Sequence, residues 1–219
     1  MEAKKEKAGV TTDRRRSPAR ARMVKSAAML IRERGIHGVG LREIVAHSGG
    51  PRGSLGRFFP GGKTQLMTEA IDVALGELFG DFEQMLSDAK TFPEAVSVIV
   101  APWRRLLVDY DFALGCPLAA TICDAADNDS LRTHVSELFA GWRATVVDAY
   151  TRFGAPPTEA EAHATVLLAA LEGALVLARA QRTIEPVDTV ERFFSSRAPD
   201  PRRAYEGARA ASAVAPWEE

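Results

Sequence analysis

The side chains best suited to chemistry in this 219-residue chain lie in one short segment rich in arginine and glycine, Pro51–Phe59. It combines three polar residues with two apolar residues suited to anchoring a helix, namely Arg52, Ser54, Arg57, Leu55 and Phe59. Arginine can donate two hydrogen bonds to O6 and N7 of guanine, and serine can reach a phosphate or a base edge. Gly53 and Gly56 would permit a close approach to a sugar-phosphate backbone. The segment is therefore a candidate for contact with a DNA groove, and a glycine-rich surface loop is the alternative.

The elements that must position this segment are helices. A first helix should begin at Pro18 and end at Gly35, because apolar residues recur at helical spacing between them. These apolar residues are Met23, Ala27, Leu30 and Ile31. A second helix is expected at Leu41–His47, followed by a tight turn at Ser48–Pro51 and a third helix from Pro51 through about Phe58. Three helices with a glycine turn between the last two are typical of a helix-turn-helix.

Longer helices follow, and the sequence predicts an all-α chain because no strand-type alternation persists. The expected helices span about residues 63–87, 92–108, 117–126, 129–153, 158–182 and 187–194. Two capping boxes should open helices, at Thr91–Glu94 and at Thr158–Glu161. Asp129 is expected to cap a further one.

Charge is divided unevenly along the chain, although the net charge is only −1. Residues 1–67 hold 15 Lys and Arg against 5 Asp and Glu, whereas residues 68–219 hold 13 against 24. A basic head on an acidic body indicates a polyanion-binding module joined to a second module. An unevenly charged, solvated surface is the alternative.

Several classes of protein are excluded or disfavoured. The two cysteines cannot form a disulfide framework, so a reducing, cytoplasmic location is expected. The N-terminal residues lack the apolar region of a secretory signal. The longest apolar stretch, Ala164–Ala178, is interrupted by Glu172 and is judged too short to span a bilayer. No membrane partner is predicted.

Enzymatic and metal chemistry find little support in the sequence. The segment Gly56–Thr64 nearly matches a phosphate-binding P-loop, but Arg57 stands where the pattern requires glycine, and no buried strand precedes it. The four histidines are scattered, and a nucleophile elbow is missing from the sequence. We therefore predict no catalytic residue, no metal site and no cofactor.

The helical body offers two further sets of candidates. An apolar cavity for a ligand, or else an ordinary core, would be lined by Trp103, Leu107, Phe112, Cys116, Phe139 and Trp142. Glu172 would face solvent, pair with a basic residue or sense a ligand. A stripe of small residues suits close helix packing across a two-fold interface or within one subunit, and consists of Ala170, Ala174 and Ala178.

Residues 20–67 resemble the TetR family of bacterial transcriptional regulators. The resemblance is carried by the run ARMVKSAAMLIRERGIHGVGLREIVAHSGGPRGSLGRFFPGGKTQL. The body is similar to the LmrA/YxaF-type subgroup at Gly115–Ala120 and at Glu172–Ala180. Head and body match in the same order, over roughly residues 20–195.

This resemblance implies a homodimer that represses genes from a near-palindromic double-stranded operator until a small hydrophobic or amphipathic effector binds. The expected domains are a disordered basic arm (1–18), a helix-turn-helix head (19–66), a ligand-binding and dimerisation body (67–196) and a flexible tail (197–219). One alternative is a TetR-like dimer whose altered head binds no specific DNA, and which serves as a small-molecule-binding or interaction protein. A helical enzyme is the other.

The resemblance also assigns DNA contacts and reveals departures. Arg42 and Lys63 match places where the family meets phosphates, although each could be a simple surface charge. The full set of predicted DNA contacts is Arg42, Pro51, Arg52, Gly53, Ser54, Leu55, Arg57 and Lys63. Gly56 and Phe58 replace the family's usual Tyr and His, which hold phosphates and position the helix. Each glycine of the third helix should cost about 1 kcal/mol relative to alanine. Gly40 is also a weaker cap than the usual Thr or Ser.

Overall fold

The computed structural model describes residues 17–199, apart from residues 52 and 126, and the regular structure in this part of the chain is entirely helical. The helices are α1 (Pro18–Arg34), α2 (Leu41–His47), α3 (Leu55–Phe58), α4 (Gly62–Phe79), α5 (Phe82–Asp88), α6 (Phe92–Asp109), α7 (Pro117–Asp124), α8 (Asp129–Arg152), α9 (Pro157–Gln181) and α10 (Glu185–Ser195). The all-α prediction is confirmed. Most of the predicted basic arm (1–18) and most of the predicted tail lie outside the described residues, and Pro18, placed in the arm, is the first residue of α1.

The chain divides into two compact units. Among the described residues, the first unit comprises those up to Glu77 together with Pro117–Val135, and the second comprises Leu78–Cys116 and those from Ser136 onward. Two of the three boundaries fall within α4 and α8 and the third falls at the start of α7, whereas the sequence placed a domain boundary at residue 67.

In the first unit, α1 begins and ends where the sequence predicts. Its predicted apolar stripe is buried, with exposures of 0 to 1% at Met23, Ala27, Leu30 and Ile31. Gly35 ends the helix at φ +74°, and its N–H donates to the carbonyl oxygen of Ile31 at 2.9 Å. A Cβ at Gly35 would lie 2.4 Å from Oδ2 of Asp124, the atom that accepts the backbone N–H of His37. Only glycine fits this close approach.

The helix-turn-helix has the expected α2 but a shorter α3. The turn is tight because Gly49 adopts φ +62° and the N–H of Gly50 donates to the carbonyl oxygen of Val45 at 3.1 Å. The prediction that the third helix begins at Pro51 was wrong, since α3 starts at Leu55. Gly53 at φ +83° interrupts the helical backbone before it.

Three other helix starts or lengths differ from the sequence prediction. The single helix expected over residues 63–87 is broken at Gly80, where φ is +34°, into α4 and α5. The cap of α8 is Asn128, whose side-chain oxygen accepts the N–H of Leu131 at 3.1 Å, and not Asp129. The capping box predicted at Thr158 is not formed, because α9 already begins at Pro157.

The second unit is built around α6, α9 and α10. The capping box at Thr91 is confirmed, since its hydroxyl accepts the N–H of Glu94 at 3.3 Å and the Glu94 carboxylate accepts the N–H of Thr91 at 3.3 Å. Arg104 of α6 forms ion pairs with two carboxylates of α10, Asp188 at 2.7 Å and Glu191. Apolar residues of the three helices fill the interior between them, including Ile99, Leu107, Leu171, Leu175 and Val187.

The same substitution should have opposite effects at two glycines. Gly76→Ala is expected to raise the free energy of unfolding by about 0.5–1 kcal/mol, because glycine is a poor helix former. Gly76 lies exposed within α4, and a Cβ there would meet no atom of the described residues within 4 Å. Gly35→Ala should instead destabilise the fold, because its positive φ and the Asp124 carboxylate leave no room. Urea denaturation of both variants measures the two signs. A change of the same sign in the free energy of unfolding of both variants would contradict this account.

Candidate functional site

The segment Pro51–Phe59, predicted to contact DNA and here called the recognition segment, contributes residues to a groove in the first unit. This groove has a volume of about 660 Å³ and is lined by Arg42, Val45, Ala46, Gly49, Gly50, Gly53 and Leu55. Three of the predicted DNA contacts, Arg42, Gly53 and Leu55, are therefore brought together on one surface between α2 and α3. Among the described residues the lining is largely apolar, and the Arg42 side chain is the charged one. Such a surface offers an arginine donor beside apolar contacts of the kind that accept a thymine methyl group.

Arg57 remains available on the outer side of α3. The residue is exposed, and its guanidinium carbon lies 4.9 Å from the centre of the Phe58 ring. Phe58 is itself only 5% exposed, so this ring forms a fixed platform for the arginine. Pro51 is also exposed, whereas Arg52 lies outside the described residues. The geometry leaves Arg57 free to donate to a base edge or a phosphate.

Two predicted DNA contacts have partners within the head. Ser54 is 7% exposed, and its hydroxyl donates to the carbonyl oxygen of Pro51 at 2.7 Å. The Lys63 ammonium donates to the carbonyl oxygen of Ile36 at 2.8 Å. Lys63 also borders a cavity of about 220 Å³ that Asp124 shares. Ser54 thus shapes the start of α3, and Lys63 supports the loop between α1 and α2 with at least one of its donors.

Gly56 stands on an open surface. The residue is exposed, and a Cβ built on it would meet no atom of the described residues within 4 Å. The described part of the fold therefore does not require glycine where the family usually has tyrosine. Gly50 differs, because a Cβ there would lie 2.3 Å from Cε of Met23. The Met23 side chain occupies the space of the missing methyl group.

Two arginines that the sequence reading did not single out contact the helix-turn-helix. Arg20 donates through Nε to the carbonyl oxygen of Phe58 at 3.3 Å and through Nη2 to Glu69 at 2.6 Å. Arg22 donates through Nε to the carbonyl oxygen of Ser48 at 3.1 Å. No local sequence pattern marks these roles, because the partners lie 26 to 49 residues away along the chain.

In the second unit, the candidate ligand residues Trp103 and Trp142 form an aromatic cluster with Phe79, which the sequence did not single out. The ring centres are 5.3 Å apart for the two tryptophans, 5.6 Å for Phe79 and Trp103, and 5.7 Å for Phe79 and Trp142. Trp103 is 0% exposed and Trp142 is 8% exposed. No described residue accepts a hydrogen bond from either indole N–H. A buried donor without an acceptor costs about 1–3 kcal/mol, so both donors favour a bound acceptor.

A second polar feature of this unit joins Cys116 to Glu172. Cys116 is 4% exposed and hydrogen-bonds with the Glu172 carboxyl group, whose Oε1 has no partner among the described residues. Burial raises the pKa of Glu172, and the hydrogen bond with Cys116 opposes this effect. Of the other candidates, Leu107 is fully buried, whereas Phe112 and Phe139 are half-buried.

The raised pKa of Glu172 predicts a pH-dependent stability. The Glu172 carboxyl group holds its proton more tightly in the folded state than in the unfolded state. Its contribution to the free energy of unfolding is therefore complete below the unfolded-state pKa and is lost as the pH rises through the folded-state pKa. Glu172→Gln should therefore lose less stability than the wild type when the pH increases from about 4.5 upward. Urea denaturation across this range tests the difference. If the free energy of unfolding changed with pH in the same way for both proteins, burial would not raise the pKa of Glu172.

The alanine stripe of α9 is covered within the subunit rather than presented outward. Ala174 is 4% exposed, Ala178 is 0% exposed, and Ala170 is half-buried. Packing within one subunit, the alternative interpretation of the stripe, therefore accounts for at least Ala174 and Ala178. The exposed apolar side chains of α9 lie elsewhere on the helix, at Val166 (56%), Val176 (67%) and Leu177 (51%).

Helix α9 is longer than the apolar stretch seen in the sequence. It has 25 residues and a mean hydropathy of 1.5 in its most apolar window, so length and composition alone would let it cross a bilayer. The sequence prediction concerned only the shorter stretch Ala164–Ala178, whereas this test takes in the whole helix Pro157–Gln181. Core helices of soluble proteins pass the same test. Eight residues of α9 are buried against the rest of the second unit, which fits a core helix.

Within the described part of the chain, three or more metal-ligating side chains are nowhere grouped as a metal ion requires. The imidazole of His163 stacks on Tyr150, with ring centres 5.3 Å apart and planes 14° from parallel. His134 pairs with Asp72 at 2.8 Å. These contacts give both histidines structural partners.

The chain is similar to known protein families over an N-terminal and a C-terminal segment. The family model for bacterial regulatory proteins of the tetR family matches residues 24–70, and the model for the transcriptional regulator LmrA/YxaF-like C-terminal domain matches residues 93–193. An uncharacterised HTH-type transcriptional regulator of Mycobacterium tuberculosis (strain H37Rv) is 37% identical over 179 residues, covering 79% of this chain and 90% of the relative. LmrA of Bacillus subtilis is 25% identical over 174 residues, covering 77% and 90%.

Solved structures show the same fold. A TetR transcriptional regulator from Chloroflexus aurantiacus superposes with a TM-score of 0.69 at 26% identity, covering 81% of this chain and 92% of the other. A TetR transcriptional regulator from Legionella pneumophila gives a TM-score of 0.72 at 16% identity, covering 82% and 97%. The second likeness concerns the fold alone.

Proposed function

The chain belongs to the TetR family of bacterial regulatory proteins, and from this premise we propose that it is a homodimeric repressor released from its operator by a small effector. Membership of the family makes it a DNA-binding transcriptional regulator rather than an enzyme, as the sequence predicts. Repression, the effector and the dimer belong to the proposal. The resemblance to the LmrA/YxaF-type subgroup is confirmed.

The groove between α2 and α3 is the observation that carries the DNA-binding part of the proposal. Arg42, Gly53 and Leu55 line it, and Arg57 projects from α3. A recognition helix of this class enters the major groove with its N-terminal residues against base edges. Two such heads would lie about 34–36 Å apart on a near-palindromic operator. Much of the affinity would come from phosphate contacts and would therefore fall with rising salt.

The exposed apolar side of α9 supports a dimer. Val166, Val176 and Leu177 are 51 to 67% exposed, and Phe193 of α10 is 47% exposed. Apolar side chains left on the surface of α9 and α10 favour burial against a second copy, as in an isologous helix interface. We propose this surface, in place of the buried Ala174 and Ala178, as the dimer interface.

The effector proposal rests on the second unit. Unpartnered indole N–H groups at Trp103 and Trp142 would suit a ligand with a hydrogen-bond acceptor, and the surrounding rings would suit an apolar body. An amphipathic molecule combines both properties. Such a ligand releases the operator only if it binds better to a conformation with different head spacing. A coupling of about 1–3 kcal/mol would change DNA affinity about 5- to 150-fold.

Selection of bound sequences from random duplexes tests the function. We expect enrichment of a near-palindromic site, with a complex of two chains per site and an affinity that falls with salt. Screening of small amphipathic compounds for release of that duplex then tests the effector. A monomer that enriches no sequence at low salt would overturn the proposal.

A second candidate function is suggested by the recognition segment itself. Helix α3 has only four residues, one of them the exposed Gly56. A TetR-like dimer with such a head could serve as a small-molecule-binding or interaction protein without an operator. Salt-sensitive binding with no preferred sequence would favour this candidate.

A further inference from the structure

We propose that Arg20 is a positioning residue that fixes α3 against α1 and α4, and thereby sets operator specificity without contacting DNA. This inference rests on the proposed function, because it concerns how the head presents α3 to an operator. Its geometry, however, can be tested without DNA.

The Arg20 side chain contacts three residues of the head, two at the end of α3 and one on α4. Its Nε–H donates to the carbonyl oxygen of Phe58, at the end of α3, at 3.3 Å. Its guanidinium carbon lies 4.7 Å from the centre of the Phe59 ring. Its Nη2 donates at 2.6 Å to Glu69 of α4, whose same oxygen also accepts the side-chain N–H of Gln65 at 2.9 Å. One side chain of α1 therefore joins α3 to α4.

Helix α3 depends on such outside support. It is a single turn, held by few backbone bonds such as Phe58 N–H to Ser54 oxygen at 3.0 Å and Phe59 N–H to Leu55 oxygen at 2.7 Å. Helices this short are not stable alone, and Gly56 weakens this one further. The Arg20 contact satisfies a carbonyl oxygen at the helix end, where no intrahelical donor remains. The orientation of α3 must therefore come largely from its tertiary contacts.

Arg22 acts in the same way at the other end of the helix-turn-helix. Its Nε–H donates at 3.1 Å to the carbonyl oxygen of Ser48, the residue that ends α2. Arg20 and Arg22 together hold both sides of the turn. The Arg20 side chain is only 13% exposed, so its charge serves the protein interior rather than a phosphate.

The test compares Arg20→Met with a matched control. Lys25→Met removes the Lys25–Glu77 ion pair (3.4 Å), which also links α1 to α4 but does not involve α3. The first measurement is amide hydrogen exchange at Phe58 and Phe59. The second is affinity for the selected operator and for a random duplex over a series of salt concentrations.

Arg20→Met should speed exchange at Phe58 and Phe59 and lower the ratio of operator affinity to random-duplex affinity, each about tenfold. The slope of log affinity against log salt should stay unchanged, because no phosphate contact is lost. A role in stability alone would weaken both duplexes equally and leave the ratio constant. Lys25→Met should change neither the exchange nor the ratio.

Three results would overturn the inference: unchanged exchange at α3, an unchanged affinity ratio, or a salt slope reduced by about one with both duplexes weakened equally. If Arg20→Met does not fold, Glu69→Gln takes its place, because it removes the charged anchor while leaving Arg20 and Phe58 intact. The same effects, only smaller, are then expected. If the wild type prefers no duplex, the proposed function fails, and the exchange comparison alone decides the role of Arg20.

Discussion

Arg57→Ala is expected to weaken operator binding about 5- to 150-fold, which corresponds to about 1–3 kcal/mol for a lost contact to a base edge. Arg57 is exposed on the recognition helix, and the buried Phe58 ring beneath it holds the guanidinium in place. Removal of an exposed arginine over a ring should cost the fold only about 0.5–1 kcal/mol. The dimer should therefore persist while its affinity for the operator falls.

A mobility-shift titration with the selected operator measures this effect, and gel filtration checks the dimer. Arg105→Ala is a matched control, because Arg105 is also exposed but lies on α6 in the second unit. The control should bind the operator as the wild type does. Equal affinity of Arg57→Ala and wild type would remove Arg57 from the DNA interface, and relaxed preference at one base pair would identify the base that it reads.

Trp103→Ala should have the largest effect on stability. Trp103 is fully buried and packs on Phe79 and Trp142, so truncation leaves a cavity that neighbouring rings cannot fill. Loss of a buried tryptophan costs about 3–5 kcal/mol. For a chain of this size each kcal/mol lowers the melting temperature by about 2–4 °C. Thermal unfolding should therefore show a drop of about 6–20 °C.

Trp103→Phe separates packing from ligand recognition. It keeps an aromatic ring but removes an N–H that donates to no described residue, so its cost should be far below that of Trp103→Ala. Binding of an effector that accepts this hydrogen bond should nevertheless weaken. If Trp103→Phe released the operator at the wild-type effector concentration, the indole N–H would have no role in recognition. Trp103 would then be an ordinary core residue.

Much of the local structure could be predicted because its signals lie close together in the sequence. Pro18 and Gly35 define α1, and Thr91 with Glu94 opens α6, since caps act over three or four residues. The break at Gly80 escaped prediction because the apolar spacing continues across it to Phe82. Only the exposed Met85 (47%) shows that the pattern had ended.

The sequence likewise predicted some features of the candidate DNA site and not others. The residue types of Arg42 and Arg57 and the family motif were readable from the sequence. That the Ser54 hydroxyl donates to Pro51 was not, because the glycine before it shifts the start of α3. The two faces of α9 were likewise indistinguishable, since alanine and valine suit a core and an interface equally well.

The amino-acid sequence by itself determined the helical class, the family and the arginine-rich segment that we expect to read DNA, because periodicity, caps and motifs are properties of neighbouring residues. The tertiary structure decided which side of α9 is covered, which head residues point inward, and that Arg20 supports α3. These outcomes depend on contacts between distant residues, as with Arg20 and Phe58, which are 38 positions apart. Such contacts form only when helices pack, and no spacing along the chain encodes them.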